Sequence, residues 1–139
     1  MSNELIRFSV AMPEDLLAQF DELVERRGMA RNRSEAVRDL VREALVDQEC
    51  ADPDALVVGT LTISFDHHSH DLQDKLDHIQ HEHFDRIVSK LHVHLDAHNC
   101  LEVVVMRGPA RLIQDISNAI LGTKGVKNGK LVLTTATEA

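Results

Sequence analysis

The sequence predicts an α+β protein in two parts, a short strand-helix-helix unit followed by a βαββαβ domain. Three observations predict this class. Residues 6–12 alternate between apolar and polar side chains, two amphipathic helical patterns follow, and the rest of the chain switches between strand and helix periodicities. A chain of 139 residues can form one medium domain or two small ones. We expect domains at 1–48 and 55–139, joined by a polar linker at 49–54.

The first unit is predicted from alternation and from helix end signals. A half-buried strand is indicated by apolar residues at every second position, with Arg7, Ser9 and Ala11 on the opposite face. Pro13 suits the start of one helix and Gly28 its end, whereas Asn32 and Glu35 have the spacing of a capping box for a second helix. A single strand cannot bury its apolar face alone, so we expect this unit to be an obligate dimer.

The second part has the element order of a ferredoxin-like fold. Strands are predicted at 56–65, 87–95, 101–106 and 126–135. Helices are predicted at 71–84 and after Gly108-Pro109. The order βαββαβ is typical of an antiparallel sheet with helices on one face.

Charge, hydropathy and cysteine usage limit the function classes. The net charge of −8 argues against nucleic-acid binding through overall charge, yet Arg26 to Arg42 contains six arginines and only two acidic residues. That segment is either a DNA-facing surface or a solvated helix face with ion pairs. No apolar run approaches the roughly 20 residues of a membrane span, so we expect a cytoplasmic protein without a membrane partner. Cys50 is expected to be a bystander in the linker.

All nine histidines lie between His67 and His98, and the densest stretch predicts a metal site. Alternate residues of a strand share a face, so His92 and His94 project together, and turn-forming residues then bring Cys100 beside them. Imidazole and thiolate are ligands for zinc, copper or nickel rather than for hard cations. A role of Cys100 as an enzymatic nucleophile is disfavoured, because neither an oxyanion loop nor an orienting third group is evident.

A fourth ligand is expected from the preceding helix, which offers His78, His81 and His83. Since Val93 and Leu95 are apolar, we expect them to face that helix, with His92 and His94 on the opposite side of the sheet. The fourth ligand would then come from another subunit. The remaining histidines are expected to form either a solvated rim or a weaker second metal site; these are His67, His68, His70 and His98.

The two halves together resemble the NikR family of nickel-responsive transcriptional regulators. The resemblance covers nearly the whole chain and depends on Asn32-Arg33-Ser34-Glu35-Ala36 at the helix start, on His92-Val93-His94 and on Cys100. It implies a homotetramer with ACT-type ferredoxin-like domains at the centre and ribbon-helix-helix dimers at either end. It also implies square-planar nickel(II) held by His92, His94 and Cys100 of one subunit and His81 of another.

The same resemblance implies that paired strands enter the DNA major groove and repress nickel uptake genes from a palindromic operator. The base-reading residues would be Arg7, Ser9 and Ala11. At the position of Ala11 the family commonly has a polar residue instead. Phosphate contacts would come from Asn32, Arg33 and Ser34, and a secondary cation site from Glu35 and Asp39. The alternatives are a metal buffer or carrier without gene control, a DNA-binding sensor of zinc or copper, and a purely structural metal.

Overall fold

The computed structural model of this chain describes residues 4–28 and 32–136, apart from the side chain of His70. The elements in chain order are α1 (Glu14–Arg27), α2 (Arg33–Cys50), β1 (Leu56–Asp66), α3 (His70–Glu82), β2 (Ile87–His94), β3 (Asn99–Pro109), α4 (Ala110–Leu121) and β4 (Val126–Thr135). They form two compact units that divide between Glu43 and Ala44. Among the described residues, no helix has the length and apolar character needed to cross a bilayer.

The N-terminal unit contains α1 and the first part of α2, as far as Glu43. α1 ends at Gly28, whose φ of 61° is left-handed and therefore suits glycine. α2 is capped by Asn32, whose Oδ1 accepts the backbone N–H of Glu35 at 2.9 Å. Residues 4–13 form neither helix nor strand in the single chain. A strand requires a hydrogen-bonded partner, and the partner predicted here is a second copy of this chain.

The second helix is longer than the sequence pattern indicates. It continues to Cys50, which is 7% exposed and belongs to the hydrophobic core, with Val46 packed against the same core. The expectation that Cys50 is a bystander in a polar linker is therefore wrong. Residues 51–55 form the turns that lead into β1. The helix continues because its last two turns find apolar contacts that a count of polar residues does not show.

The C-terminal unit is a four-stranded antiparallel sheet in the order β2-β3-β1-β4. Every second residue of β1 and β3 is buried. These residues pack against α3 and α4, and the core is Val57, Leu61, Ile63, Phe65, Leu72, Leu76, Cys100, Val104, Met106, Ala110, Ile113, Ile116 and Ile120, with Cys50. The predicted α+β class and the βαββαβ order are confirmed.

The register of β2 against β3 corrects the expected orientation of the histidines. His94 lies opposite Cys100 and His92 opposite Glu102, and residues opposite each other in a ladder share a face. Both Cys100 and Glu102 are fully buried on the face that α3 and α4 cover. His92 and His94 therefore lie on the helix-covered face, and Val93 lies on the other one. The expectation was wrong because β2 is an edge strand that contributes few side chains to the core.

Candidate metal centre and DNA-binding residues

A tight turn between β2 and β3 holds the predicted ligands in register. One carboxylate oxygen of Asp96 accepts the backbone N–H groups of His98 and Asn99, each at 2.8 Å, and the Asn99 side chain donates to the other oxygen at 3.0 Å. Led by the Asn99 side chain, these hydrogen bonds lower the pKa of the Asp96 carboxyl from 3.8 to about 2. The turn brings the end of β2 back along β3, so that His94 faces Cys100.

Three donor groups from three segments meet beside this turn. The Cys100 Sγ lies 3.5 Å from His94 Nδ1 and 3.6 Å from His67 Nδ1, and the three ligand atoms all lie within 4.8 Å of one another. His67 directly follows β1, and its backbone N–H donates to the His98 carbonyl at 2.7 Å. The thiol is buried, whereas both imidazoles are exposed. The group therefore lies at the border between the core and solvent.

His92 lies next to this group without joining it. Its ring centroid is 5.0 Å from that of His94 and 5.8 Å from that of Phe65, both in edge-to-face arrangements. Its Nδ1 lies 3.5 Å from a carboxylate oxygen of Glu102. Of the three ligands predicted on the hairpin, His94 and Cys100 are thus in contact with each other. His92 contacts the ring of His94 instead of the thiol.

The structure distributes the remaining histidines over the helix and the loops. His78 contacts Glu82 at 3.2 Å on the exposed side of α3, and His81 is exposed near the end of that helix. His83 follows as the C-terminal cap of α3. His68 lies beside His67 and His98, with ring centroids 5.0 Å and 5.4 Å away. The side chain of His70 lies outside the described residues.

From the sequence, His67 was expected in a solvated rim or a weaker second metal site and not beside Cys100, and Glu102 was given no role. His67 reaches Cys100 because the register pairs Phe65 with Cys100, which places the residues after β1 beside the β2–β3 turn. Glu102 is fully buried among core residues. An available signal was the acidic residue inside the otherwise apolar run from Leu101 to Met106, on the same strand face as Cys100.

The donor chemistry fits a transition metal. A thiol and two imidazoles within bonding reach of one point present borderline and soft lone pairs once the thiol is deprotonated. Hard cations such as Mg²⁺ prefer oxygen ligands, which do not belong to this group of three. The residues present therefore fit nickel, copper or zinc.

The predicted DNA-contacting residues are all accessible in the N-terminal unit. Arg7, Ser9 and Ala11 are exposed within the segment that precedes α1. Asn32 caps α2, and exposed Ser34 follows in its first turn.

Arg33 has a partner within its own chain. Its guanidinium donates two hydrogen bonds to the Asp21 carboxylate, at 2.8 Å and 2.7 Å. The pKa of Asp21 is lowered mainly by this hydrogen bonding from Arg33. Arg31, which contributes to the predicted basic segment, lies outside the described residues.

Comparison with known proteins gives a consistent class for both units. The family model described as "NikR C terminal nickel binding domain" matches residues 58–134. That described as "Ribbon-helix-helix protein, copG family" matches residues 6–48. The first unit is thus a ribbon-helix-helix domain and the second a nickel-binding domain.

Relatives match over nearly the full length of the chain. A protein named "Putative nickel-responsive regulator" from Geobacter sulfurreducens is 55% identical over 135 residues, covering 97% of this chain and 96% of the relative. Proteins of the same name from Nitratidesulfovibrio vulgaris and Caldanaerobacter subterraneus subsp. tengcongensis are 52% and 46% identical, covering 94% and 96% of this chain and 93% and 86% of the relatives. The chain belongs to the NikR family, as the sequence resemblance indicated. This family consists of regulators and not of enzymes.

Proposed function

We propose that this protein is a nickel-responsive transcriptional repressor whose C-terminal domain binds nickel(II) and whose ribbon-helix-helix domain binds operator DNA. One observation carries the proposal. The thiol of Cys100 and the imidazoles of His94 and His67 meet at one point of a domain that matches a nickel-binding family. The same chain carries a ribbon-helix-helix domain, a fold that enters the DNA major groove as a two-stranded ribbon.

The proposed nickel ligands are His92, His94 and Cys100 of one subunit and His81 of another. The pairing of His94 with Cys100 and the adjacent His92 ring support the first three. The exposure of His81 leaves it accessible to a second subunit. Tetragonal coordination by nitrogen and sulfur favours nickel(II) or copper(II), whereas zinc prefers a tetrahedron. His67 is the alternative fourth donor, because it already contacts Cys100.

The origin of the fourth ligand is testable by mixing subunits. Neither His81→Ala nor His92→Ala homo-oligomers should bind nickel fully. If His81 serves a neighbouring subunit, mixed oligomers of the two variants regain some complete sites. His67→Ala tests the alternative donor, because under the proposed ligand set it should leave nickel affinity unchanged although His67 Nδ1 lies 3.6 Å from the Cys100 thiol. A loss with His67→Ala and none with His81→Ala would replace His81 by His67.

A homotetramer built as a dimer of dimers is proposed from apolar surfaces that a single chain leaves uncovered. Leu5, Ile6 and Phe8 are between 76% and 87% exposed in the segment before α1. The sheet face opposite the helices is also apolar, and Leu91 and Val132 on it are 58% and 59% exposed. Apolar patches of this kind mark association surfaces. In this tetramer, we propose that residues 1–48 form the DNA-binding domain and residues 55–139 the metal-binding domain.

In the proposed DNA complex, the ribbon strands present Arg7, Ser9 and Ala11 to base edges of a palindromic operator. Arginine reads guanine, serine reads several bases, and alanine makes only apolar contact, for instance with a thymine methyl. Backbone amides at the start of α2 and the side chains of Asn32, Arg33 and Ser34 would hold phosphate. Arg33 must then exchange its exposed Asp21 partner for phosphate.

The proposed response depends on a difference in affinity between two conformational states. A ligand promotes operator binding only as far as it prefers the state in which both ribbons engage the DNA. Bound nickel would supply a bond network that joins side chains of different subunits. The turn at Asp96 holds His94 beside Cys100, and the C-terminal end of α3 presents His81. Their positions determine which subunit arrangement completes the site.

We also propose the genes that the protein regulates, its location in the cell and the ligands of a secondary cation site. Repression of nickel uptake genes would lower import once nickel is plentiful, and a repressor of this kind works in the cytoplasm. Glu35 and Asp39 are proposed as secondary cation ligands. Asp39 contacts Arg42 at 3.3 Å, an exposed pair that a cation would have to displace.

A DNA-binding titration tests the function. Operator DNA is enriched from genomic fragments with nickel-loaded protein, and its affinity is then measured with and without nickel by fluorescence anisotropy. We expect a gain of about 5- to 150-fold with nickel, the usual range of coupling between two sites. Cys100→Ala should abolish the gain, and Cys50→Ala is the control that should retain it. Equal affinity with and without nickel would refute the regulatory proposal.

The rival functions give different results in the same assay. A metal buffer or carrier would enrich no DNA at any metal concentration. A zinc or copper sensor would gain operator affinity when loaded with its own ion and not when loaded with nickel. A structural metal would, on removal, lower the melting temperature and unfold the C-terminal domain instead of leaving it folded.

A further inference from the structure

A carboxylate is fully buried in the C-terminal domain, one position along the strand face from Cys100. Glu102 has an exposed fraction of 0%, and it lies on β3 between the core residues Cys100 and Val104. Removing a carboxylate from water is costly unless nearby groups satisfy it. A hydrophobic residue at this position would complete the core without that cost. The partners of Glu102 therefore indicate what the carboxylate does.

The two oxygens of Glu102 contact different elements. One accepts a hydrogen bond from Gln80 of α3 at 2.6 Å, and the Lys90 ammonium lies 3.9 Å from the same oxygen. The other oxygen lies 3.5 Å from His92 Nδ1. The Lys90 ammonium also donates to Asp77 on the surface at 3.3 Å, so its positive charge faces both the Asp77 and the Glu102 carboxylates. Glu102 is thus the group that connects His92 to helix α3.

The contact with His92 has a chemical consequence. When Glu102 is ionised, its carboxylate only accepts hydrogen bonds, so a hydrogen bond between this oxygen and His92 requires the hydrogen on Nδ1. Neutral imidazole holds one hydrogen on its ring nitrogens, which leaves the lone pair on Nε2. A carboxylate on the far nitrogen is a recurring arrangement around metal-binding histidines, because it selects the tautomer and the ring orientation.

We propose that Glu102 is a positioning residue for His92, which holds the hydrogen on Nδ1 and presents Nε2 as the metal donor. This inference rests on the proposed function insofar as His92 binds nickel. Gln80 donates to the other carboxylate oxygen, and it directly precedes His81. The same buried group therefore ties the strand that carries His92 to the helix that carries the proposed ligand of a neighbouring subunit.

The first test uses the metal-free protein and needs no nickel binding. Nitrogen-15 NMR of labelled histidine distinguishes the two tautomers, and His92 is assigned by its loss in His92→Ala. We expect wild-type His92 to carry its hydrogen on Nδ1. Glu102→Met, which removes the acceptor at similar length, should shift His92 towards a mixture. Glu102→Gln keeps a carbonyl acceptor and should restore much of the wild-type pattern. Hydrogen on Nε2 in the wild type would overturn the proposal without any variant.

The second test measures nickel affinity in a double-mutant cycle. Glu102→Met should weaken nickel binding by about 10- to 100-fold, the usual effect of losing such a partner. In a His92→Ala background, Glu102→Met should weaken nickel binding little further, because Glu102 is proposed to act on the metal only through His92. Equal losses in both backgrounds would show a merely structural role and overturn the proposal.

Matched controls separate folding from positioning. Lys90→Met removes the other charged neighbour of Glu102 and should leave the His92 tautomer unchanged. If Glu102→Met does not fold, the proposal is still tested by the His92 tautomer measured in the wild type and in Glu102→Gln. Wild-type nickel affinity in His92→Ala would instead refute the proposed ligand set, while the metal-free tautomer would still report on Glu102.

Discussion

Gly59 offers a direct test of how β1 packs against α4 in the C-terminal domain. A Cβ added there would lie 2.6 Å from Ile113 Cγ2 of α4, 3.2 Å from Leu131 and 3.3 Å from Leu133. Ordinary contacts begin at 3.4 Å, so Ile113 would have to move by 0.8 Å within a close-packed core. Ile113 is fully buried, so a shift of its side chain has to be accommodated by neighbouring core residues.

The Gly59→Ala substitution is therefore expected to destabilise the domain. Overpacking of this kind costs about 1–3 kcal/mol, and the lower entropy of the unfolded alanine chain offsets about 0.4–1 kcal/mol. A net loss of about 1–2 kcal/mol corresponds to a decrease in melting temperature of about 3–8 °C for a protein of this size. Urea and thermal unfolding should be followed by circular dichroism, without metal and at one protein concentration.

A second substitution determines whether the contact with α4 causes the loss. Ile113→Ala should itself cost about 2–5 kcal/mol, because it leaves a cavity. In that background the added methyl of Gly59→Ala occupies vacated space, and its cost should fall to near zero. Equal costs in the two backgrounds, within about 0.5 kcal/mol, would refute the steric explanation.

Three further substitutions test individual groups. Because the pKa of Asp96 is depressed to about 2 in the folded protein, its stabilising effect is complete above about pH 4 and is lost as the pH falls towards 2. Asp96→Asn should therefore flatten the dependence of the urea midpoint on pH between 5 and 2, and an unchanged slope would contradict this. Ser117 Oγ is buried without a hydrogen-bond partner among the described residues, so Ser117→Ala should leave stability unchanged or raise it by up to about 1 kcal/mol in the same unfolding assay. A loss above 1 kcal/mol would indicate an unrecognised partner. Arg33→Gln should barely change the melting temperature, because its pair with Asp21 is exposed, but it should weaken DNA binding and reduce the salt slope by about 0.9 for each lost phosphate contact. An unchanged slope in a salt titration would exclude Arg33 from phosphate binding.

Local signals in the sequence predicted most elements, because they depend on nearby residues. Gly28 ends α1 in a left-handed conformation, and Asn32 caps α2 through Glu35, as their positions in the sequence indicated. The strands predicted at 56–65 and 126–135 match β1 and β4 to within a residue. The strand predicted before α1 is not formed in a single chain, because its hydrogen-bond partners would come from another copy.

The candidate site was only partly predictable. The alternation of His92 and His94 and the turn before Cys100 correctly indicated a shared face. The side of the sheet was assigned wrongly, because apolar Val93 was assumed to mark the core. Apolar character does not distinguish a face covered by the chain's own helices from one left for another subunit. As an edge strand, β2 exposes apolar residues that a central strand would bury.

By itself, the sequence determined the family, the order of elements, the chemistry of a thiol among imidazoles, and the hairpin that carries it. These follow from local periodicity, turn residues and ligand type, all of which are properties of short segments. Tertiary structure alone decided that His67 reaches Cys100, that Cys50 is in the core, and that Glu102 lies buried against His92. Each of these depends on strand register and helix docking, which bring together residues distant in sequence, and no local pattern encodes that proximity.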